Sequence, residues 1–256
     1  MSVEKEFGGK RALVTGASRG IGRAVAIGLA ERGARVAIHY HRDRAAAQRT
    51  LADLAGEDHF VVDGDLSDAE AALAVVERSV ERLGGLDVLV NNAGIFEHHP
   101  IDRVDWEEWR DHWRRTMGVN LFGPAHVTFG AVRHMIRGGG GKIVNVTSRG
   151  AFRGEPDAPA YGASKAALNS LSQSLALALA PHKIFVTAVA PGWVETDMTE
   201  RFLAGPGGEE IRSQSPLRRV ARPEEIAETV LFLASHRSDF LTGAVVDANG
   251  ASYLRT

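Results

Sequence analysis

The chain has 256 residues, 44% hydrophobic and 24% charged, and a formal net charge of -2. This balance fits a globular α/β protein with an ample core and offers no basic stripe for a nucleic acid. It contains no cysteine, which excludes disulfides, thiolate catalysis and cysteine-ligated zinc, and no metal is expected.

Glu4, Lys5 and Glu6 near the start do not read as a secretion signal, and no apolar run reaches the length of a membrane span. A cytoplasmic protein is expected. The first apolar run, residues 11–15, reads as a buried strand. It leads into Gly16-Ala17-Ser18-Arg19-Gly20-Ile21-Gly22 and then a helical pattern over 23–32. Between a strand and a helix N-terminus, such a turn is a phosphate cradle. Bare N–H groups and the positive helix end meet there, and missing side chains let a pyrophosphate approach.

Residues 35–40 form the next strand. Its end faces the adenosine ribose in dinucleotide folds, where a carboxylate selects NAD. Here His39 takes that position, followed by Tyr40, His41 and Arg42. Arg42, with Arg19 on the other side, is suited to a 2′-phosphate, so NADP(H) is favoured and NAD(H) remains open. A third strand over 60–62 leads to Asp65 and Leu66, where an adenine ring would lie. Ser67 and Glu70 read as a capping box opening a helix to Leu83. A fourth strand over 86–90 runs into Asn91-Asn92-Ala93-Gly94. The small Ala93 and Gly94 let something flat pack on the backbone there, and the two asparagines suit loop pinning or a ribose contact.

From 105 to 137 the pattern is helical, with Asn120 in its interior, an unfavourable place unless the amide has a task. Strand five, residues 142–147, ends at Ser148, beyond the carboxyl end where α/β sheets bind ligands. The helix that follows runs from Tyr161 to Ala180, with Lys165 four residues after Tyr161. That spacing sets phenol and ammonium on one face, and a cation within about 4–6 Å would lower the tyrosine pKa. Strand six, 184–189, ends at Pro191-Gly192. A lid-like loop over about 193–219, a helix starting at Pro223 and a last strand over 244–247 complete the chain. Alternating strands and helices, without repeats or a linker, predict one domain over 1–256. It would be a doubly wound Rossmann fold with a seven-stranded parallel sheet and helices on both faces.

Taken together, these motifs resemble the short-chain dehydrogenase/reductase family over essentially the whole chain. Thr15-Gly16 through Gly22 is similar to its cofactor motif, and Asn91 to Gly94 to its sheet-stabilising motif. Asn120, Ser148, Tyr161 and Lys165 stand where its catalytic tetrad belongs. The stretch 190–199, Pro223 to Ala227 and the C-terminal Thr242-Gly243 and Asn249-Gly250 are similar to 3-oxoacyl-carrier-protein reductases within the family. Glu155-Pro156-Asp157, the segment Trp106 to Trp113 and Trp193 depart from that group.

The resemblance implies hydride transfer between a nicotinamide and a carbonyl or secondary alcohol, a 3-oxoacyl thioester among the candidates. Tyr161 would be the acid–base, Ser148 would bind the carbonyl oxygen, and Lys165 would tune Tyr161 and hold the nicotinamide ribose. Asn120 would position a relay water, and Val194 and Thr196 would bind the carboxamide. The cofactor set is Gly16, Ser18, Arg19, Gly20, Ile21, Gly22, Arg42, Asp65, Leu66, Asn91, Ala93, Gly94, Tyr161, Lys165, Pro191, Gly192, Val194 and Thr196. The family also implies a homotetramer. The alternatives are an NAD-dependent alcohol or sugar dehydrogenase and a non-catalytic NADPH-binding regulator.

Overall fold

A computed structural model describes residues 5–255; Glu4 lies outside them. Strands β1 (Arg11–Val14), β2 (Arg35–Tyr40), β3 (Phe60–Asp63), β4 (Val88–Asn91), β5 (Gly141–Val146), β6 (Ile184–Pro191) and β7 (Val245–Ala248) form one sheet. Their order is β3-β2-β1-β4-β5-β6-β7, and every pairing is parallel. Strands are added outward from β1 to one edge, and then from β4 to the other. The point where that order switches lies between β1 and β4, and a crevice opens above their carboxyl ends.

Alternation along each strand sends successive side chains to opposite faces. Ala12, Val14, Val36, Ile38, Val88 and Val90 join one buried cluster, while Leu13, Ala37 and Leu89 join the other. Helix α1 (Gly20–Glu31) covers the first face through Val25 and Leu29. Helix α2 (Arg44–Ala52) follows on the same side. Helix α3 (Ala69–Leu83) packs on the second face through Val75 and Val76. Helices α4 (Trp106–Met117) and α5 (Gly123–Arg137) come next, with Val127 and Met135 of α5 in the second cluster. A short α6 (Gly150–Arg153) and the long α7 (Pro159–Leu179) follow β5. Helices α8 (Glu200–Ala204) and α9 (Gly208–Ser213) precede α10 (Pro223–Ala234), which returns to the first face through Ile226 and Val230. No helix of the described residues is long and apolar enough to cross a membrane.

Three expectations are corrected. The cap of α3 is Asp68, whose carboxylate accepts the Ala71 N–H at 2.7 Å. Ser67 instead donates its hydroxyl to Asp65 at 2.7 Å, so the capping box at Ser67 is absent. The helical stretch 105–137 is two helices joined by a wider π-turn, Gly118–Phe122. Pro124 explains the break. A proline has no N–H, and its ring would strike the carbonyl four residues back, which here belongs to Asn120. The turn widens around that point, and the Gly123 N–H bonds the Gly118 carbonyl five residues earlier. Finally, the loop over 193–219 is partly helical, holding α8 and α9.

Candidate active site

A cleft of about 510 Å³ runs over the carboxyl ends of β1, β2, β4, β5 and β6. At one end is the glycine turn. Gly16 has φ +61°, and a Cβ there would stand 2.8 Å from the Ala93 Cα. A Cβ on Gly22 would collide with the Asn92 amide and lie 2.5 Å from the Gly16 carbonyl oxygen. Both positions therefore require glycine, for conformation and space respectively. Asn92 pins the turn, donating to the carbonyls of Thr15 (2.9 Å) and Gly16 (3.0 Å). Arg19, in extended conformation, precedes α1 without a side-chain cap, and the first turn of α1 has no acidic residue. The leading N–H groups of this helix thus lack a side-chain partner and face the cleft with the positive helix end.

His39, at the end of β2, lines the cleft, but its ring is engaged by backbone. It is buried, its Nδ1 accepts the Gly16 N–H at 3.1 Å, and that fixes Nε2 as the protonated nitrogen bonding the Gly64 carbonyl at 3.1 Å. Burial lowers its pKa to about 4, so it is a neutral strut beneath the turn. Arg42, exposed, and Asp65 line the cleft at this end. His41 Nε2 lies 3.6 Å from Asp65, and Arg19 lies 3.6 Å from Asp197.

At the other end stand Ser148, Tyr161 and Lys165. The Ser148 Oγ accepts the Gly150 N–H at 3.0 Å, which leaves its own proton free to donate. Lys165 is buried, and its Nζ donates to the Val146 carbonyl at 2.9 Å, 5.8 Å from the Tyr161 ring centre. Burial pushes the Tyr161 pKa up to about 12 against the opposing hydrogen bond with Ser148, and pushes Lys165 down to about 8. The expected lowering of Tyr161 by Lys165 is therefore reversed. The ammonium is engaged by a backbone carbonyl, and desolvation of the phenolate is the larger effect.

Asn120 is buried beneath the cleft on the π-turn. Its Oδ1 accepts the Ile95 N–H at 2.8 Å, and its Nδ2 donates to the Ile95 carbonyl (3.0 Å) and to Ser164 Oγ (3.2 Å). A Cβ on Gly94 would stand 3.4 Å from both Asn120 Oδ1 and Lys165 Nζ. This glycine leaves a small gap between the two groups.

The model of the family described as Enoyl-(Acyl carrier protein) reductase matches residues 16–250. The 3-oxoacyl-(acyl-carrier-protein) reductase FabG of Staphylococcus aureus is 38% identical over 247 residues, covering 96% of this chain and 98% of that protein.

The chain belongs to the short-chain dehydrogenase/reductase family.

As a member of that family it is an oxidoreductase acting on CH–OH groups. The L-rhamnose 1-dehydrogenase (NAD(P)(+)) of a Sphingomonas species is 39% identical, covering 96% of this chain and 97% of its own. A short-chain dehydrogenase from Burkholderia cenocepacia, solved in complex with NADP, superposes with a TM-score of 0.86 at 35% identity, covering 96% and 99%. Family members use NAD(P), and the residues here fit that group: an uncapped helix start, a glycine cradle a Cβ would fill, and a cleft of about 510 Å³ that runs from that cradle to Tyr161.

Against this short-chain dehydrogenase frame, most expected positions converge. Gly16, Ser18, Arg19, Gly20, Ile21, Arg42, Asp65, Leu66, Ala93, Gly94, Pro191, Gly192, Val194 and Thr196 line the cleft with Ser148, Tyr161 and Lys165. Asn120 and Gly22 lie under it. The Asn91 side chain does not line the cleft: its amide donates to Thr128 of α5 (3.0 Å) and Asn145 of β5 (2.8 Å). Strand alternation puts the cleft position on Asn92 instead. Sequence reasoning also missed Met198, Thr199 and Ile95, which line the cleft, and His99. The buried His99 Nε2 accepts the Ala160 N–H at 3.2 Å, and its Nδ1 donates to the Glu97 carbonyl at 2.8 Å. It thereby caps the start of α7 beside Tyr161. One histidine of the pair His98-His99, in a short loop with no periodic pattern, gives no signal of such a task.

Proposed function

We propose that this chain is an NADP(H)-dependent oxidoreductase that interconverts a carbonyl and a secondary alcohol, with Tyr161 as its general acid and base. The observation that carries this reading is the meeting of Ser148, Tyr161 and Lys165 at one end of a cleft whose other end is an uncapped helix start. When bound, the nicotinamide supplies the hydride to the carbonyl carbon, or accepts it in the reverse direction.

Ser148, its Oγ already accepting from Gly150, donates a hydrogen bond to the carbonyl oxygen, keeping its own proton, and holds that oxygen near the phenol. With a pKa of about 12, Tyr161 carries its proton at neutral pH and gives it to the oxygen as the alkoxide forms. Oxidation needs the phenolate, which burial disfavours; the Lys165 ammonium reduces that cost. Lys165 also holds the ribose hydroxyls, and the remaining lone pair of Asn120 Oδ1 holds a water that links Lys165 to solvent. Val194 and Thr196 receive the carboxamide. Arg42 and Arg19 receive a 2′-phosphate, since no carboxylate ends β2.

The Staphylococcus aureus relative supports a 3-oxoacyl thioester as one substrate to try. Tyr161→Phe is expected to lower turnover by about 10²–10⁴-fold while retaining NADPH binding, read by NADPH oxidation over a panel of ketones and 3-oxoacyl thioesters. Turnover near that of the parent overturns the assignment. We further infer one domain over 1–256 assembling as a cytoplasmic homotetramer, supported by exposed Phe129 on α5 and Leu177 on α7. A monomer mass by light scattering would remove the tetramer.

A further inference from the structure

Arg149, next to Ser148 in the chain, has no part in the reactions above, yet its guanidinium is buried, the residue being 4% exposed. Its backbone N–H donates to the Pro191 carbonyl at 2.8 Å, which fixes it at the carboxyl end of β6. Among the described residues its one side-chain bond is to a neutral group, from Nη2 to Gln214 Oε1 at 2.7 Å. Nη1 is buried and has no partner there. Arg153 donates to the same amide oxygen at 3.3 Å, so two guanidinium groups share one uncharged acceptor. Burial lowers the Arg149 pKa to about 10, which still leaves the charge in place at neutral pH.

A buried cation with a free N–H group and no contacting anion is costly, and that cost is relieved when an anion arrives. Arg149 stands on the wall shared by two cavities. The smaller, about 70 Å³, adjoins Ser148, Tyr161, Phe96 and Trp193. The larger, about 200 Å³, lies under the lid with Ser215, Asn249 and Ser252 on its wall. Glu155 lines the smaller cavity too, and its carboxyl and the Arg149 guanidinium attract each other, yet among the described residues no hydrogen bond or ion pair joins the two, and Nη1 stays without a partner.

We propose that Arg149 is a specificity-determining residue that binds a carboxylate of the substrate, which is therefore an oxo acid or the corresponding hydroxy acid. This rests on the carbonyl-reducing reading above. Gln214 follows α9 in the lid, and its amide oxygen occupies the guanidinium in the unliganded protein. A carboxylate accepts two parallel N–H bonds from an arginine and is the stronger acceptor, so it displaces Gln214 and engages Nη1 as well. Reduction then proceeds at the carbonyl held by Ser148, a few atoms from the anchored carboxylate.

The test uses short 2- and 3-oxo acids, each paired with its methyl ester, and NADPH oxidation by the full chain. The parent enzyme is expected to prefer acid over ester by about 10–100-fold in kcat/KM, the range of a charge-assisted contact. In Arg149→Met that ratio falls toward one, and Arg149→Lys recovers part of it. Malonate, with the parent enzyme alone, is expected to compete with the oxo acid, whereas dimethyl malonate does not. An unaltered acid-to-ester ratio in Arg149→Met, esters reduced as fast as acids by the parent, or no competition by malonate overturns the proposal. If uncharged ketones or thioesters are reduced and no acid is, the Arg149 proposal alone falls. If nothing is reduced, both readings fall.

Discussion

Around Gly16 the cleft is made of backbone: positive-φ glycine, uncapped helical N–H groups, and carbonyls tied to Asn92 and His39. Beyond Ser148 and Tyr161, the adjoining smaller cavity is walled by side chains, Phe96 and Trp193 among them. Phe96 meets Tyr161 edge-on at 4.9 Å, and Phe202 of α8 packs against Phe96 and Trp193, each at 5.8 Å. Helices α8 and α9 have only five and six residues, too short to be stable without such contacts. In the proposed function the backbone-built half would recognise phosphate, a group common to every dinucleotide, and can be rigid. In that reading the side-chain-built half would decide the substrate and can be repacked by single substitutions.

If that contrast holds, the largest effect comes from filling the backbone-built half. Gly22→Val places side-chain carbon against the Gly16 carbonyl and the Asn92 amide. Overpacking of this kind costs about 1–3 kcal/mol, and here the strain falls on the phosphate cradle. NADPH affinity is expected to fall by up to about 100-fold, read by fluorescence titration with the melting temperature as control. Unchanged affinity would mean that the turn yields as easily as the lid.

The same contrast explains what was legible in the sequence. Strand–turn–helix order, the glycine spacing and the four-residue step from Tyr161 to Lys165 are local patterns, and the sheet and most of the cleft follow from them. Asn120 was legible from its place inside a helical pattern, but the π-turn that carries it was not, because it follows from Pro124, whose clash acts on a residue four positions away. Asn91 and Asn92 differ by one step of strand alternation, and the exact end of β4 decides which one meets the cleft. The pKa of Tyr161 was misjudged because spacing gives proximity but not desolvation. Arg149 was not singled out in the sequence, because its burial comes from contacts with Pro191 and Gln214, both far from it in the chain.

A smaller effect is expected in the side-chain half. Phe202→Ala removes one ring of the aromatic set and no cofactor contact. Aromatic pairs are worth about 0.5–1.5 kcal/mol beyond area, so the substrate KM is expected to rise about 2–10-fold, with NADPH affinity retained. A parallel loss of NADPH affinity would show that the lid and the cradle are one mechanical unit and would end the distinction.

The smallest effect probes the place where the contrast is weakest. At the outer end of the cofactor half, the proposed discrimination for a 2′-phosphate would rest on an exposed side chain, Arg42, rather than on backbone. A 2′-phosphate near it gains a charge-assisted contact, but solvent and salt screen exposed pairs to about 1 kcal/mol or less. Arg42→Ala is therefore expected to weaken NADPH by no more than about fivefold at low salt, less at high salt, and to leave NADH affinity where it was. Arg19 keeps part of the preference, because it approaches from the glycine turn on the other side. Equal affinities for both cofactors before and after the substitution would remove the 2′-phosphate argument. A loss for NADH as large as for NADPH would place Arg42 on a group the two cofactors share.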